Sequence, residues 1–142
     1  MRPEKDNKVL YAFPKKYRIH SKILIRELIE NNASLFCYPF KYYFRFDPVS
    51  AKDDNNSMAI SVPKRLFRKA VDRNRIKRIV KEAYRLNHHS ILESKTLCEN
   101  RKVAIFLIYV STKIESFHLI ENQLKELLNR IVVSENERHE DH

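Results

Sequence analysis

The stretch Ala70-Val71-Asp72-Arg73-Asn74-Arg75-Ile76-Lys77-Arg78-Ile79-Val80-Lys81-Glu82-Ala83-Tyr84-Arg85 decides how the rest of this 142-residue chain is read. At the helical step of 100° per residue, Ile79, Val80 and Ala83 fall within about 60° of Ile76, whereas Asn74, Arg78, Lys81 and Arg85 gather on the opposite side. Arg75 and Lys77 flank the polar side, and Arg73 lies nearer the apolar one. The spacing predicts a helix anchored by one apolar stripe, with cations on its outer face. Lys64, Arg65, Arg68 and Lys69 lead into it, so that from Lys64 to Arg85 ten basic residues face two acidic ones, Asp72 and Glu82. The formal net charge of the whole chain is +10, and nearly all of that excess sits in this block. A merely solvated face would intersperse Glu with Lys for i,i+4 support. Here cations accumulate against their own repulsion, which phosphates relieve, and the planar fork of Arg suits phosphate oxygens and groove edges. The block is an electrostatic footprint for a polyanion.

Working outward, Val103-Ala104-Ile105-Phe106-Leu107-Ile108-Tyr109-Val110 is a continuous apolar run, which predicts a central strand buried on both faces. Ser116 offers an N-cap, and Phe117, Ile120, Leu124, Leu127, Leu128 and Ile131 mark a closing helix. Upstream, Phe36, Tyr38, Phe40, Tyr42, Phe44 and Phe46 alternate with Lys41, Tyr43 and Arg45. That alternation predicts one extended strand over 35–47, its aromatic face turned to the core. On its other face Tyr43, between Lys41 and Arg45, combines a stacking surface with two cations, the ingredients of single-strand binding. Pro39 lacks a ladder donor and belongs at an edge or near the strand start. Residues 48–57 read as a hairpin connection, and Met58 to Val62 as a short strand returning against the first. Ser21 caps a first helix that carries Ile25, Leu28 and Ile29 and stops at Asn31-Asn32. The element order is αββαβα with no internal repeat, an α+β sandwich of two layers. Residues 14–133 form one domain in this reading, with a loose arm at 1–13 and a disordered charged tail at 134–142.

Hydrophobic residues make up 43% and charged residues 32%, the balance of a chain that folds. No apolar run is long enough to span a bilayer, so the protein reads as cytoplasmic, without a membrane partner. Cys37 and Cys98 sit in apolar surroundings and read as buried free thiols. Glycine is absent, which excludes the Gly-rich phosphate loops of nucleotide-binding folds. Left-handed backbone positions then fall to Asn, at Asn31-Asn32, Asn55-Asn56, Asn87 and Asn100. His20, His88, His89, His118, His139 and His142 are scattered in polar contexts, and no Ser/His/Asp, HExxH or CxxC spacing occurs. The expectation is therefore no catalytic residue, no metal site and no small-molecule cofactor in the protein itself. A DNA-binding module lacks a helix-turn-helix frame, and a stand-alone nuclease lacks the residues. A structural or assembly protein bound to folded RNA, such as ribosomal RNA, is one reading of the basic block.

The run Arg73-Asn74-Arg75-Ile76-Lys77-Arg78, followed by Lys81-Glu82-Ala83-Tyr84-Arg85, resembles the RNR motif of the bacterial ribonuclease P protein component. Ile60-Ser61-Val62-Pro63-Lys64-Arg65-Leu66-Phe67-Arg68-Lys69-Ala70 resembles that family's strand and basic lead-in, and Arg18-Ile19 is similar to the Arg-Leu that opens its first helix. The resemblance spans about residues 13–130. It implies a ribosomal-protein-S5-domain-2-like fold with a left-handed βαβ crossover, against the usual right-handed rule. It also implies an endoribonuclease subunit that binds a large catalytic RNA and helps remove the 5′ leader of precursor tRNA, with Mg²⁺ held mainly by the RNA. On that basis Arg65, Arg68, Lys69, Arg73, Asn74, Arg75, Lys77, Arg78, Lys81 and Arg85 meet the RNA subunit. Ile25, Ile29, Lys41, Tyr43, Arg45 and Ser61 line a leader cleft between the first helix and the sheet, with basic help from Lys77 and Lys81. The family often has Phe where Ile25 and Ile29 stand and Gly where Asn32 stands. Ile does not stack on a base, which shifts leader binding toward Tyr43, and Asn32 serves as a left-handed helix stop.

Overall fold

The computed structural model describes residues 15–19, 21–48, 56–93 and 101–140. The expected arm at 1–13, most of the connection between the second and third strands, His20 and Cys98 lie outside them. The sheet is built from β1 (Leu35–Cys37), β2 (Phe40–Pro48), β3 (Ser57–Ser61) and β4 (Arg101–Tyr109), and the helices are α1 (Lys22–Asn31), α2 (Ala70–His88) and α3 (Phe117–Glu140). Their order along the chain is the expected α+β sequence with one short strand added.

Two strand expectations are corrected. The aromatic run 35–47 is not one strand: the chain reverses at Tyr38–Pro39, whose peptide bond is cis, and β1 folds back on β2 with Cys37 opposite Phe40. Pro39 is thus a turn residue, and the alternation continues only on β2. Nor does β3 return against β2. The strand order is β1-β2-β4-β3, with β4 antiparallel to β2 and parallel to β3. The physical reason lies in β4, whose residues are apolar on both faces and reach burial on both only between two neighbours. The less apolar β3 takes the position beyond it and reaches β4 through α2, a βαβ crossover. Arg18 then bridges to Met58, and Ile19 N–H donates to the Met58 carbonyl at 3.2 Å, which ties the N-terminal segment along β3.

Alternation on β4 divides the core. Val103, Ile105, Leu107 and Tyr109 face α2 and α3, where Ile76, Val80, Ala83, Ile120, Leu124, Leu128 and Ile131 meet them, together with Phe40 and Tyr42 of β2. Ala104 and Phe106 face the other way, where Leu28 of α1 closes over them and Tyr43. The apolar stripe read from the sequence of α2 is therefore its anchor, and the cations opposite it are held in register.

The starts of α1 and α3 are capped as expected, whereas the stops expected of Asn differ. Ser21 and Ser116 cap α1 and α3, accepting from Leu24 N–H and Leu119 N–H, each at 3.1 Å. No described residue has positive φ. Asn32 is extended, and its Nδ2 donates to the Leu28 carbonyl at 3.1 Å, so it stops α1 with its side chain and not with a left-handed backbone. Asn87 continues α2 and donates to Ala83 O at 2.7 Å and to Glu121 at 3.1 Å, linking α2 to α3. Asn56 accepts from Val103 N–H at 2.8 Å beside the β3–β4 ladder. Residues 134–140, expected to be disordered, extend α3 by two turns; buried Glu135 pairs with Arg101 at 3.6 Å, which gives that charged segment a reason to stay helical. Cys37 is a buried free thiol, as expected, and burial pushes its pKa up.

Candidate nucleic-acid interface

The cations of the basic block divide by what their side chains already hold. Arg65, Arg68, Lys69, Asn74, Arg75 and Arg78 are exposed, and Lys77 and Lys81 are half-buried. Arg73 is a brace: its Nη1 donates to the Phe67 and Arg68 carbonyls at 2.8 and 2.9 Å, pinning the lead-in loop to the start of α2. Arg85 forms a two-point, charge-assisted pair with Glu82, at 2.6 and 3.0 Å, within the helix. The open array is therefore the lead-in loop plus the first two and a half turns of α2.

On the flank of α2 toward the N-terminal segment, Lys81 sits beside Lys77 and Arg18. Burial, then the charges of Arg18 and Lys77, push its pKa down. Arg18 is a neighbour the sequence did not reveal, because its approach depends on the bridge to β3. For a lysine whose folded pKa is depressed, the unfolded chain binds more protons near the top of the titration, so stability rises as pH climbs through the folded pKa toward the ordinary value. Lys81→Gln is accordingly expected to raise the urea midpoint of the free protein at pH 7, with the gain over wild type shrinking near pH 10. An equal or lower midpoint at pH 7 would count against this strain.

The α1 side of the sheet is arranged in rows. Lys41, Ile108 and Ser61 are cross-strand neighbours, and Tyr43, Phe106 and Ala59 form the next row. Tyr43 is only 7% exposed. Its ring stacks near Phe106 at 6.4 Å, with Lys41 Nζ 5.9 Å from its centroid. The open stacking surface expected of Tyr43 is thus closed by α1 and its neighbours. Arg45 is also engaged, with Glu27 at 3.2 Å and Asp47 at 3.1 Å. What stays accessible is the first row, together with Ile29, which is 43% exposed, and the edge of Ile25. Ile108 was missed because a doubly apolar run hides which of its residues face an open surface.

The far end of the sheet supports the lead-in. The Phe67 and Tyr109 rings lie 6.0 Å apart. Tyr109 hydroxyl donates to Lys113 O at 2.8 Å and accepts from Glu115 N–H at 3.0 Å, while Tyr38 hydroxyl donates to Glu115 at 2.6 Å. This network fixes the turn that delivers Phe117 to the flank of α2, where Arg75, Arg78, Ile79, Glu82 and Phe117 line a groove of about 480 Å³. Among the described residues no three His, Cys, Asp or Glu side chains cluster as metal ligands, and Glu82 is already paired. This donor set does not fit a divalent-cation site. No helix among the described residues is long and apolar enough to cross a membrane.

Fold and surface together define a small α+β protein with a core-anchored helix whose outer face is cationic. The family model for ribonuclease P matches residues 13–132. A ribonuclease P protein component of Porphyromonas gingivalis is 33% identical over 122 residues, covering 85% of this chain and 87% of the relative. One from Clostridioides difficile is 36% identical over 83 residues, covering 58% of this chain and 67% of the relative. Among solved structures, the Staphylococcus aureus RNase P protein superposes with TM-score 0.58 at 23% identity, covering 81% of this chain and 94% of that one. The Thermotoga maritima RNase P protein in complex with 1-(4-fluorophenyl)-2-thiourea gives 0.61 at 22%, covering 80% and 98%. This chain belongs to the ribonuclease P protein family. Its role is that of the protein subunit of a ribonucleoprotein endoribonuclease in tRNA processing.

Proposed function

We propose that the lead-in loop and the outer face of α2 hold the catalytic RNA of ribonuclease P, and that the open row beside α1 holds the 5′ leader of precursor tRNA. The observation that carries this reading is the exposure of Arg65, Arg68 and Lys69 in the lead-in loop and of Arg75 and Arg78 on a helix whose opposite side is locked into the core by Ile76, Val80 and Ala83. An array fixed in this way meets phosphates without ordering a flexible segment first, which favours affinity. Arg73 acts by positioning the loop, and Arg85 contributes less than the open arginines because Glu82 already accepts from it. On the leader side, Lys41 and Ser61 offer polar contacts across the row, Ile25, Ile29 and Ile108 offer apolar ones, and Tyr43 supports them from beneath. Arg45 joins only if phosphate displaces Glu27 or Asp47. The holoenzyme works in the cytoplasm, and its Mg²⁺ belongs to the RNA.

The test is cleavage of precursor tRNA at low Mg²⁺ by the cognate RNA subunit, with and without this protein. The expected result is strong stimulation, and tighter holoenzyme binding of precursor tRNA with its leader than of mature tRNA. Absence of stimulation would overturn the function, whereas stimulation without leader preference would overturn the α1-side assignment alone.

A further inference from the structure

Phe117 is the first residue of α3 and is 37% exposed, although the apolar positions that follow it, Ile120, Leu124, Leu127 and Leu128, are fully buried. It does not hang loosely, because the Ser116 cap fixes the start of its helix. It lines a groove together with Arg75, Arg78, Ile79 and Glu82. At about 480 Å³ the groove is the size of sites that enclose a small organic ligand, about 300–1,000 Å³. Glu82 is held by Arg85, so the charge offered to a ligand comes from the two exposed arginines. A lining that combines an aromatic ring, the aliphatic Ile79 and two exposed arginines has the components that bind one unstacked nucleotide: the base against the ring, its flanking phosphates on the guanidinium groups.

We propose that this groove receives a single unpaired base of the catalytic RNA, stacked on Phe117 and held by phosphate contacts from Arg75 and Arg78. The inference rests on the reading of α2 as the RNA-facing helix. The base belongs to the RNA subunit and not to the leader, because the groove lies between α2 and α3 whereas the leader row lies across the sheet on the α1 side. Phosphate contacts alone position an RNA, and a splayed base adds register.

The experiment is chemical probing of the cognate RNA transcript, by dimethyl sulfate and 2′-hydroxyl acylation, with wild type, Phe117→Ala, Phe117→Leu and Phe117→Trp proteins. One single-stranded base is expected to be protected by wild type and Phe117→Trp and reactive again with Phe117→Leu and Phe117→Ala, with affinity roughly ten-fold weaker for the last. Phe117→Leu keeps an apolar side chain at the helix start, so its thermal midpoint should stay near wild type and separates stacking from folding. Equal affinity and an unchanged footprint for all four proteins would overturn the base site while leaving the function intact. A protected base in precursor tRNA would overturn the assignment to the RNA subunit. A wild-type protein that leaves the RNA unbound and its cleavage unstimulated would remove the function reading and this inference with it.

Discussion

Replacing Lys77 and Arg78 together by Ala is expected to weaken binding to the catalytic RNA on the order of 100-fold at low salt and to lower the slope of log affinity against log salt by about two units. The two side chains leave α2 on different sides, Arg78 from the outer face and Lys77 from the flank shared with Lys81 and Arg18, so the double change removes contacts that cannot substitute for each other. Folding should survive, because Arg78 is exposed and Lys77 is only half-buried among other cations. Filter binding across a salt series, with a thermal melt of the free protein as control, measures both. Arg78→Lys preserves the charge but not the planar fork, and should keep the slope while losing part of the affinity. A slope unchanged in the double variant would mean that α2 does not touch phosphate.

Tyr109→Ala is expected to be the most damaging single change to stability, costing about 3–5 kcal/mol out of a total that for such domains is about 5–15 kcal/mol. Tyr109 is fully buried, with Phe40 and Phe67 rings each 6.0 Å away. Its hydroxyl also serves the Lys113 carbonyl and the Glu115 N–H, so even Tyr109→Phe should cost about 1–3 kcal/mol, chiefly by leaving the Glu115 N–H without that partner, since the Lys113 carbonyl still accepts from Ser111 Oγ at 3.2 Å. Urea unfolding monitored by circular dichroism gives the two values. The consequence extends to function, since the turn held by this hydroxyl delivers Phe117 to the groove and the Phe67 ring supports the basic lead-in. Tyr109→Phe should therefore also weaken RNA binding under conditions where the protein remains folded. Wild-type stability in Tyr109→Phe would show that water replaces the hydroxyl and that the network does not hold the turn.

Charge arithmetic by itself does not show which cations already hold partners within the chain. Arg73, Arg85 and Arg45 all count as cations in the sequence, yet Arg73 is turned back on the Phe67 and Arg68 carbonyls, Arg85 on Glu82, and Arg45 on Glu27 and Asp47. For Arg85 the partner stands three residues away and was legible as an i,i+3 pair. For Arg45 one partner lies on a different element, and only packing of α1 against β2 brings it near.

What the sequence by itself determined is local and periodic: the amphipathic α2 with its apolar stripe and cationic face, the serine caps of α1 and α3, the doubly buried β4, and the aromatic alternation of β2. Each follows from backbone geometry acting on neighbouring residues, 3.6 to a helical turn or two to a strand step. Tertiary structure alone decided that β4 inserts between β2 and β3, that α1 covers Tyr43 and leaves Lys41, Ile108 and Ser61 as the open row, that Arg18 joins Lys77 and Lys81, and that Phe117 faces two arginines across a groove. Those outcomes depend on which apolar faces compete for burial across the whole chain. Residues far apart in sequence settle that competition, and no period within a single segment records it.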